Sequence, residues 1–145
     1  MLQRMGVVRW ILICLLALAA AGPVLARDLA VEPPGDPYRK VSQLVPLPDF
    51  IPGMGVLYVD PATLPVGPFL AYDRSGTLVA LVLMIPVEDL ERRTSFLNVA
   101  DAVAGWFPTD HVDVEYNPGH PGVEKPHWHV ILWNIPHEEH LERLR

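Results

Sequence analysis

The chain has 145 residues, with 11 basic against 17 acidic residues, 16 prolines and one cysteine. The net charge is −6, and the sequence has no cluster of basic residues that could contact phosphates. Nucleic acid is therefore not expected as a partner. The cysteine, Cys14, lies in an apolar N-terminal stretch. The rest of the chain therefore has no disulfide, no cysteine nucleophile and no thiolate for a zinc site or an iron–sulfur cluster.

Residues 1–26 have the pattern of an export signal. Two arginines precede the apolar run at residues 10–21, and a Gly-Pro pair and the small residue Ala26 follow it. This order predicts cleavage after Ala26, a mature protein in the periplasm or secreted, and no stable membrane anchor. The alternative is an uncleaved anchor, since the 17 residues from position 10 to position 26 reach the lower length limit for crossing a bilayer.

Residues 27–52 form a proline-rich segment, with six prolines in 26 residues. Proline fixes φ and lacks a backbone donor, so this segment cannot form a long helix or a central strand. We predict an N-terminal arm that lies on the domain or is partly loose, with one short edge strand at residues 41–45.

Residues 53–145 are predicted to form a single α+β domain. Strands are expected at residues 55–59, 69–73 and 77–85, and the Arg-Ser-Gly turn before the third strand predicts a hairpin. Nearly every position of the third strand is apolar, so both of its faces should be covered. This pattern places residues 77–85 at the centre of the sheet.

Short helices and two more strands complete the predicted domain. Early acidic residues favour a helix at 87–93, and one or two helical turns are expected at 100–106. Alternating polar and apolar residues predict strands at 111–116 and 127–133, and a proline opens a final helix at 137–145. The predicted fold is α+β, with a mostly antiparallel, rolled or barrel-like sheet and a short C-terminal helix.

All six histidines fall within the last 35 residues, and His120, His127 and His129 occupy one short segment. The last two strands are expected to pair antiparallel through the loop 117–126, whose prolines and glycines favour a fixed shape. Histidines two apart on a strand project from one face about 6 to 7 Å apart. Both rings can then bind one ion at about 2.0 to 2.1 Å, and His120 can complete a face of three nitrogens.

Two glutamates are candidates for an oxygen ligand at this site. In one strand register Glu115 shares the face of His127 and His129, and a slip of one residue moves it to the opposite face. Glu124 in the loop is the other candidate. We predict a site for a divalent transition metal (zinc, copper, nickel, iron or manganese), with His120, His127 and His129 as ligands and Glu115 as the candidate fourth ligand.

The other three histidines are not assigned to this site. His111 lies four residues before Glu115, about 13 Å along a strand, so it is expected to support a ligand or to be exposed unless another register brings it in. His137 and His140 are three apart on a charged helix, which is typical of a solvated helix surface; metal binding there is the less favoured alternative.

Several segments resemble an uncharacterised domain family of exported bacterial proteins. The resemblance covers roughly residues 53–133 and includes a Gly-His-Pro block and a Pro-His-x-His block, within residues 55–61, 64–68, 113–120 and 126–129. It implies one exported domain with a histidine site, and no particular activity. A looser likeness to cupins is set aside, because residues 131–134 lack the expected glutamate and the chain ends before a second motif.

Three functions are compatible with these features. The favoured interpretation is an exported small protein that binds a divalent transition metal, with or without catalysis. The first alternative is a non-enzymatic interaction or pH-sensing domain without metal, since imidazole titrates near neutral pH. The second is a metal-free hydrolase or isomerase with one histidine as general base. The sequence does not specify a protein or small-molecule partner.

Overall fold

The computed structural model describes residues 29–145, so the predicted export signal at residues 1–26 lies outside the described residues. The strands are β1 (Arg39–Lys40), β2 (Val56–Val59), β3 (Phe69–Tyr72), β4 (Leu78–Pro86), β5 (His111–Asn117) and β6 (His127–Trp133). The helices are α1 (Val87–Glu91), α2 (Asp101–Ala104) and α3 (His137–Arg143). Within residues 29–145, no helix has the length and apolar character needed to cross a bilayer.

The six strands form one sheet in the order β1-β2-β3-β4-β6-β5, and every neighbouring pair is antiparallel. The predicted α+β class and antiparallel sheet are confirmed. Of the predicted rolled or barrel-like sheet, the barrel is wrong, because closure requires the first and last strands of the sheet to pair. Strands β1 and β5 are instead the two edges of an open sheet.

Strand β4 lies inside the sheet, between β3 and β6, as its apolar sequence predicts. Its residues from Leu78 to Leu81 are at most 2% exposed, because elements cover both faces of the sheet there. The predicted hairpin with β3 is present, and Asp73 shapes its turn. The Asp73 carboxylate accepts hydrogen bonds from the backbone amides of Ser75 and Thr77, at 2.9 and 3.0 Å.

The described part of the proline-rich arm packs against the sheet. Leu29 is 4% exposed, and its carbonyl accepts a hydrogen bond from the Tyr72 hydroxyl at 2.8 Å. The edge strand predicted at 41–45 is instead β1, two residues earlier, followed by a 3-10 turn at Val41–Gln43. The turn directs Val41 into the core, where it is 7% exposed, and so ends the pairing with β2.

The alternation of side chains gives the sheet two apolar faces. On face A the buried core comprises Val41, Val59, Phe69, Ala71, Val79, Ala80, Val82, Met84, Ile131, Trp133, Ile135 and Leu144. On face B it comprises Leu29, Val56, Tyr58, Leu70, Tyr72, Leu78, Leu81, Val103 and Phe107. Parts of the arm, the C-terminal segment and the β5–β6 loop cover face A. Because Ile131 and Trp133 belong to face A, the alternate β6 residues His127 and His129 also point to that side.

Helix α3 is fastened to the rest of the protein near its C-terminal end. The Arg143 guanidinium donates to the buried Asp73 carboxylate, with Nε 2.8 Å from Oδ2. Leu144 is 1% exposed in the core, and a ring nitrogen of His140 lies 3.1 Å from the Gly53 carbonyl oxygen. These contacts hold the C-terminal part of the helix against face A.

Candidate metal centre

The register between β5 and β6 fixes which side chains surround His127 and His129. Glu115 lies directly opposite His129, and Asn117 lies opposite His127. Residues opposite one another in an antiparallel pair point to the same face. The structure therefore adopts the register in which Glu115 shares the face of both histidines, which the sequence alone could not choose.

A tight turn in the β5–β6 loop carries His120. Reciprocal backbone hydrogen bonds of 2.9 Å join His120 to Val123, with Pro121-Gly122 between them. Gly122 has a φ of +87°, which a type II turn requires at this position, and proline suits the position before it. Val123 packs against the face A core, so the turn is anchored to the domain.

The three imidazoles predicted as ligands lie together. One ligand atom from each of His120, His127 and His129 lies within 4.8 Å of the other two. Nε2 of His127 is 3.1 Å from Nε2 of His129, and the His120 and His127 ring centroids are 5.0 Å apart. His127 is only 1% exposed, whereas His120 and His129 are half-buried. The cluster therefore has a buried base and an accessible side.

Backbone carbonyls orient two of the rings. Nδ1 of His127 lies 2.7 Å from the Lys125 carbonyl oxygen, and Nδ1 of His120 lies 3.1 Å from the Pro121 carbonyl oxygen. A carbonyl oxygen only accepts, so each Nδ1 carries the proton and donates it. In the neutral ring with its proton on Nδ1, Nε2 keeps the lone pair that binds a metal, and such outer hydrogen bonds are the usual way of orienting histidine ligands.

The cluster also favours the neutral form of His129. Burial, followed by the neighbouring His127 and His120, lowers the pKa of His129 from 6.5 to about 4. Desolvation and nearby positive charge both disfavour an imidazolium. His129 is therefore uncharged at neutral pH, as metal coordination requires.

The two glutamates considered as oxygen ligands are not part of this group. Glu115 lies on the correct face opposite His129, but its side chain is exposed and its carboxylate is not among the atoms that lie within 4.8 Å of one another. Glu124 is also exposed, on the loop. In the described chain the close group consists of three nitrogens, and an oxygen from Glu115 would require its side chain to turn inward.

The structure brings together a second group of candidate metal ligands, which the sequence did not assign to a common site. Ligand atoms of His111, Asp113 and His137 lie within 4.8 Å of one another. His111 and Asp113 share a face of β5, and α3 packs so that its first residue meets them. The alternation of His111 and Asp113 was visible in the sequence, but no local signal shows where a helix 24 residues later will pack. His140, on the same helix, is outside the group.

Comparisons with known proteins give a structural relative and no activity. No family model matches the chain, and no curated protein matches it. The chain is similar to the solved structure of hypothetical protein TTHB210 from Thermus thermophilus, with 42% sequence identity and a TM-score of 0.62. The match covers 68% of this chain and 93% of that chain. The chain therefore belongs to the same family as that protein, whose name states no function.

Proposed function

We propose that this member of the TTHB210 protein's family is a small metal-binding protein, in which His120, His127 and His129 hold one divalent transition metal. As the sequence predicts export, we place it outside the cytoplasm, in the periplasm or secreted. The observation that carries the proposal is the convergence of three imidazoles from a rigid turn and a strand on one point.

The spacing of the nitrogens fits coordination of a single ion. Two nitrogens bound to one zinc at about 2.0 to 2.1 Å in tetrahedral geometry lie about 3.3 Å from each other. Nε2 of His127 and Nε2 of His129 are 3.1 Å apart, so only a small adjustment is needed. His120 lies on the turn at the accessible side, and one of its ring nitrogens lies within 4.8 Å of a ligand nitrogen of each of the other two histidines.

Three imidazole nitrogens suit zinc, copper, nickel, iron or manganese, and they leave a fourth position for water, Glu115 or a substrate. A bound metal at such a position can polarise a carbonyl or activate water. The residues supply binding and orientation: the Lys125 and Pro121 carbonyls fix two rings, and burial of His127 excludes solvent from one side of the group.

Metal content of protein purified without a histidine tag tests the proposal. We expect tight binding of added zinc, and we expect His120→Ala and His129→Gln each to weaken that binding by at least about tenfold, since each removes a ligand. These two half-buried positions are preferred to the fully buried His127, whose loss would also perturb the core. Glu124→Gln is the matched control on the same loop and should bind zinc as the wild type does.

The result that would contradict the proposal is zinc binding that His120→Ala and His129→Gln leave unchanged. If the protein binds no zinc but its melting temperature changes between about pH 7 and pH 5, and His129→Gln removes that change, the pH-sensing alternative is favoured. Turnover that survives chelation would favour a metal-free histidine base.

A further inference from the structure

We propose that His111, Asp113 and His137 form a second site for a divalent transition metal, and that the bound ion fastens the N-terminal end of α3 to strand β5. The site uses two imidazole nitrogens and one carboxylate oxygen, and these atoms already lie within 4.8 Å of one another. Nε2 of His111 is 3.9 Å from Oδ2 of Asp113. The His111 and His137 ring centroids are 5.6 Å apart.

His111 presents a nitrogen that has no other use in the described chain. Its Nδ1 lies 3.0 Å from the Asp110 carboxylate, which can only accept, so Nδ1 carries the proton. Its Nε2 is buried and has no hydrogen-bond partner among the described residues. A buried polar atom without a partner is costly, and a metal ion would satisfy this lone pair. A histidine that donates one ring N–H to a carboxylate and binds a metal through its other nitrogen is a common arrangement. The carboxylate orients the ring and makes it a stronger ligand.

Asp113 and His111 are held in place by Trp133 on the neighbouring strand. The Trp133 indole donates a hydrogen bond of 2.8 Å to Oδ2 of Asp113. His111 pairs directly with Trp133 across the strands, and their rings are stacked with centroids 6.2 Å apart. Two of the three ligands are thus positioned on the sheet before a metal binds, which lowers the entropy cost of binding.

The site shares no residue with the cluster of His120, His127 and His129. Along β6 its neighbour Trp133 is four residues from His129, about 13 Å. Two histidines and one carboxylate leave at least one coordination position open, and this ligand set suits zinc or ferrous iron.

The structural consequence concerns α3. Its C-terminal end is already tied to the domain by Arg143 and Asp73. At its first residue, His137 is exposed. An ion shared by His137 and the two β5 ligands would restrain the end of the helix that these contacts do not hold.

Zinc titration in a variant without the first site tests this proposal separately. In His120→Ala/His129→Gln protein we expect one equivalent of zinc to bind, and His137→Ala added to that background should abolish the binding. Glu138→Gln, an exposed neighbour on the same helix, is the matched control. Asp110→Ala should weaken binding about 10- to 100-fold, since it removes the acceptor that orients His111 and leaves all three ligands in place.

Hydrogen exchange supplies a readout that zinc bound elsewhere would not produce. Saturating zinc should slow amide exchange in residues 137–143 of the background variant, and His137→Ala should remove that protection. The proposal is overturned if His137→Ala leaves the stoichiometry unchanged, or if the background variant binds no zinc. If the background variant binds no zinc but the wild type binds one equivalent, the second site is refuted and the first site is supported.

Discussion

Acid should destabilise the metal-free protein partly through His129. The pKa of His129 is lowered from 6.5 to about 4 by burial, by His127 and by His120. Below about pH 6.5 the unfolded chain takes up a proton at this residue, whereas the folded chain does not until about pH 4. The unfolded state then binds more protons, so stability is full above pH 6.5 and is lost as the pH falls toward 4.

The magnitude follows from the width of this window. One proton over about 2.5 pH units, at about 1.4 kcal/mol per unit, gives an upper limit of about 3.5 kcal/mol. His129 is only half-buried, so solvent screens part of this effect, and we expect about 1 to 2 kcal/mol.

Urea unfolding in the presence of a chelator at about pH 7.5 and pH 4.5 measures this loss, and His129→Gln isolates the contribution of the residue. The wild type should lose about 1 to 2 kcal/mol more than the variant between the two pH values. Equal losses in the two proteins would show that His129 is not held in its neutral form, and would refute the reasoning from burial and neighbouring imidazoles.

Two further predictions concern the loop and the C-terminal helix. Gly122→Ala should weaken zinc binding at the first site, as measured in a competition titration with a chelating dye. The new Cβ would lie 2.6 Å from Cβ of Val45, and residue 122 has a φ of +87°, which alanine rarely adopts. Gly35→Ala, also at positive φ but with no atom within 4 Å, should bind zinc normally, and an equal loss there would contradict the steric explanation. Arg143→Ala should cost about 2 kcal/mol in urea unfolding, because it leaves the buried carboxylate of Asp73 without its charged partner; a change below about 0.5 kcal/mol would refute this.

Local pattern was sufficient to locate most of the secondary structure. The apolar run at 77–85 indicated an internal strand, because burial on both faces leaves a direct trace in residue order. The alternation at 111–116 also located a strand, but the burial inferred from it is wrong: Val112, Val114 and Tyr116 are more than half exposed, and the polar His111 and Asp113 lie on the more buried side. Closure of the sheet left no such trace, since it depends on whether distant strands meet. The edge strand was also misplaced by two residues, because the packing of Val41 rather than its β-propensity decides where pairing ends.

The sequence by itself determined which ligand chemistry is available. Residues 29–145 contain no cysteine, so the candidate ligands are nitrogen and oxygen atoms. His127 and His129 share a face because side chains on a strand alternate with a period of two, and His120 comes directly before a Pro-Gly turn. Their role as metal ligands remains a prediction. Only the tertiary structure decided the register that sets Glu115 opposite His129, and only it brought His137 to His111 and Asp113. Register and helix docking depend on the packing of residues far apart in the chain, which no local pattern encodes.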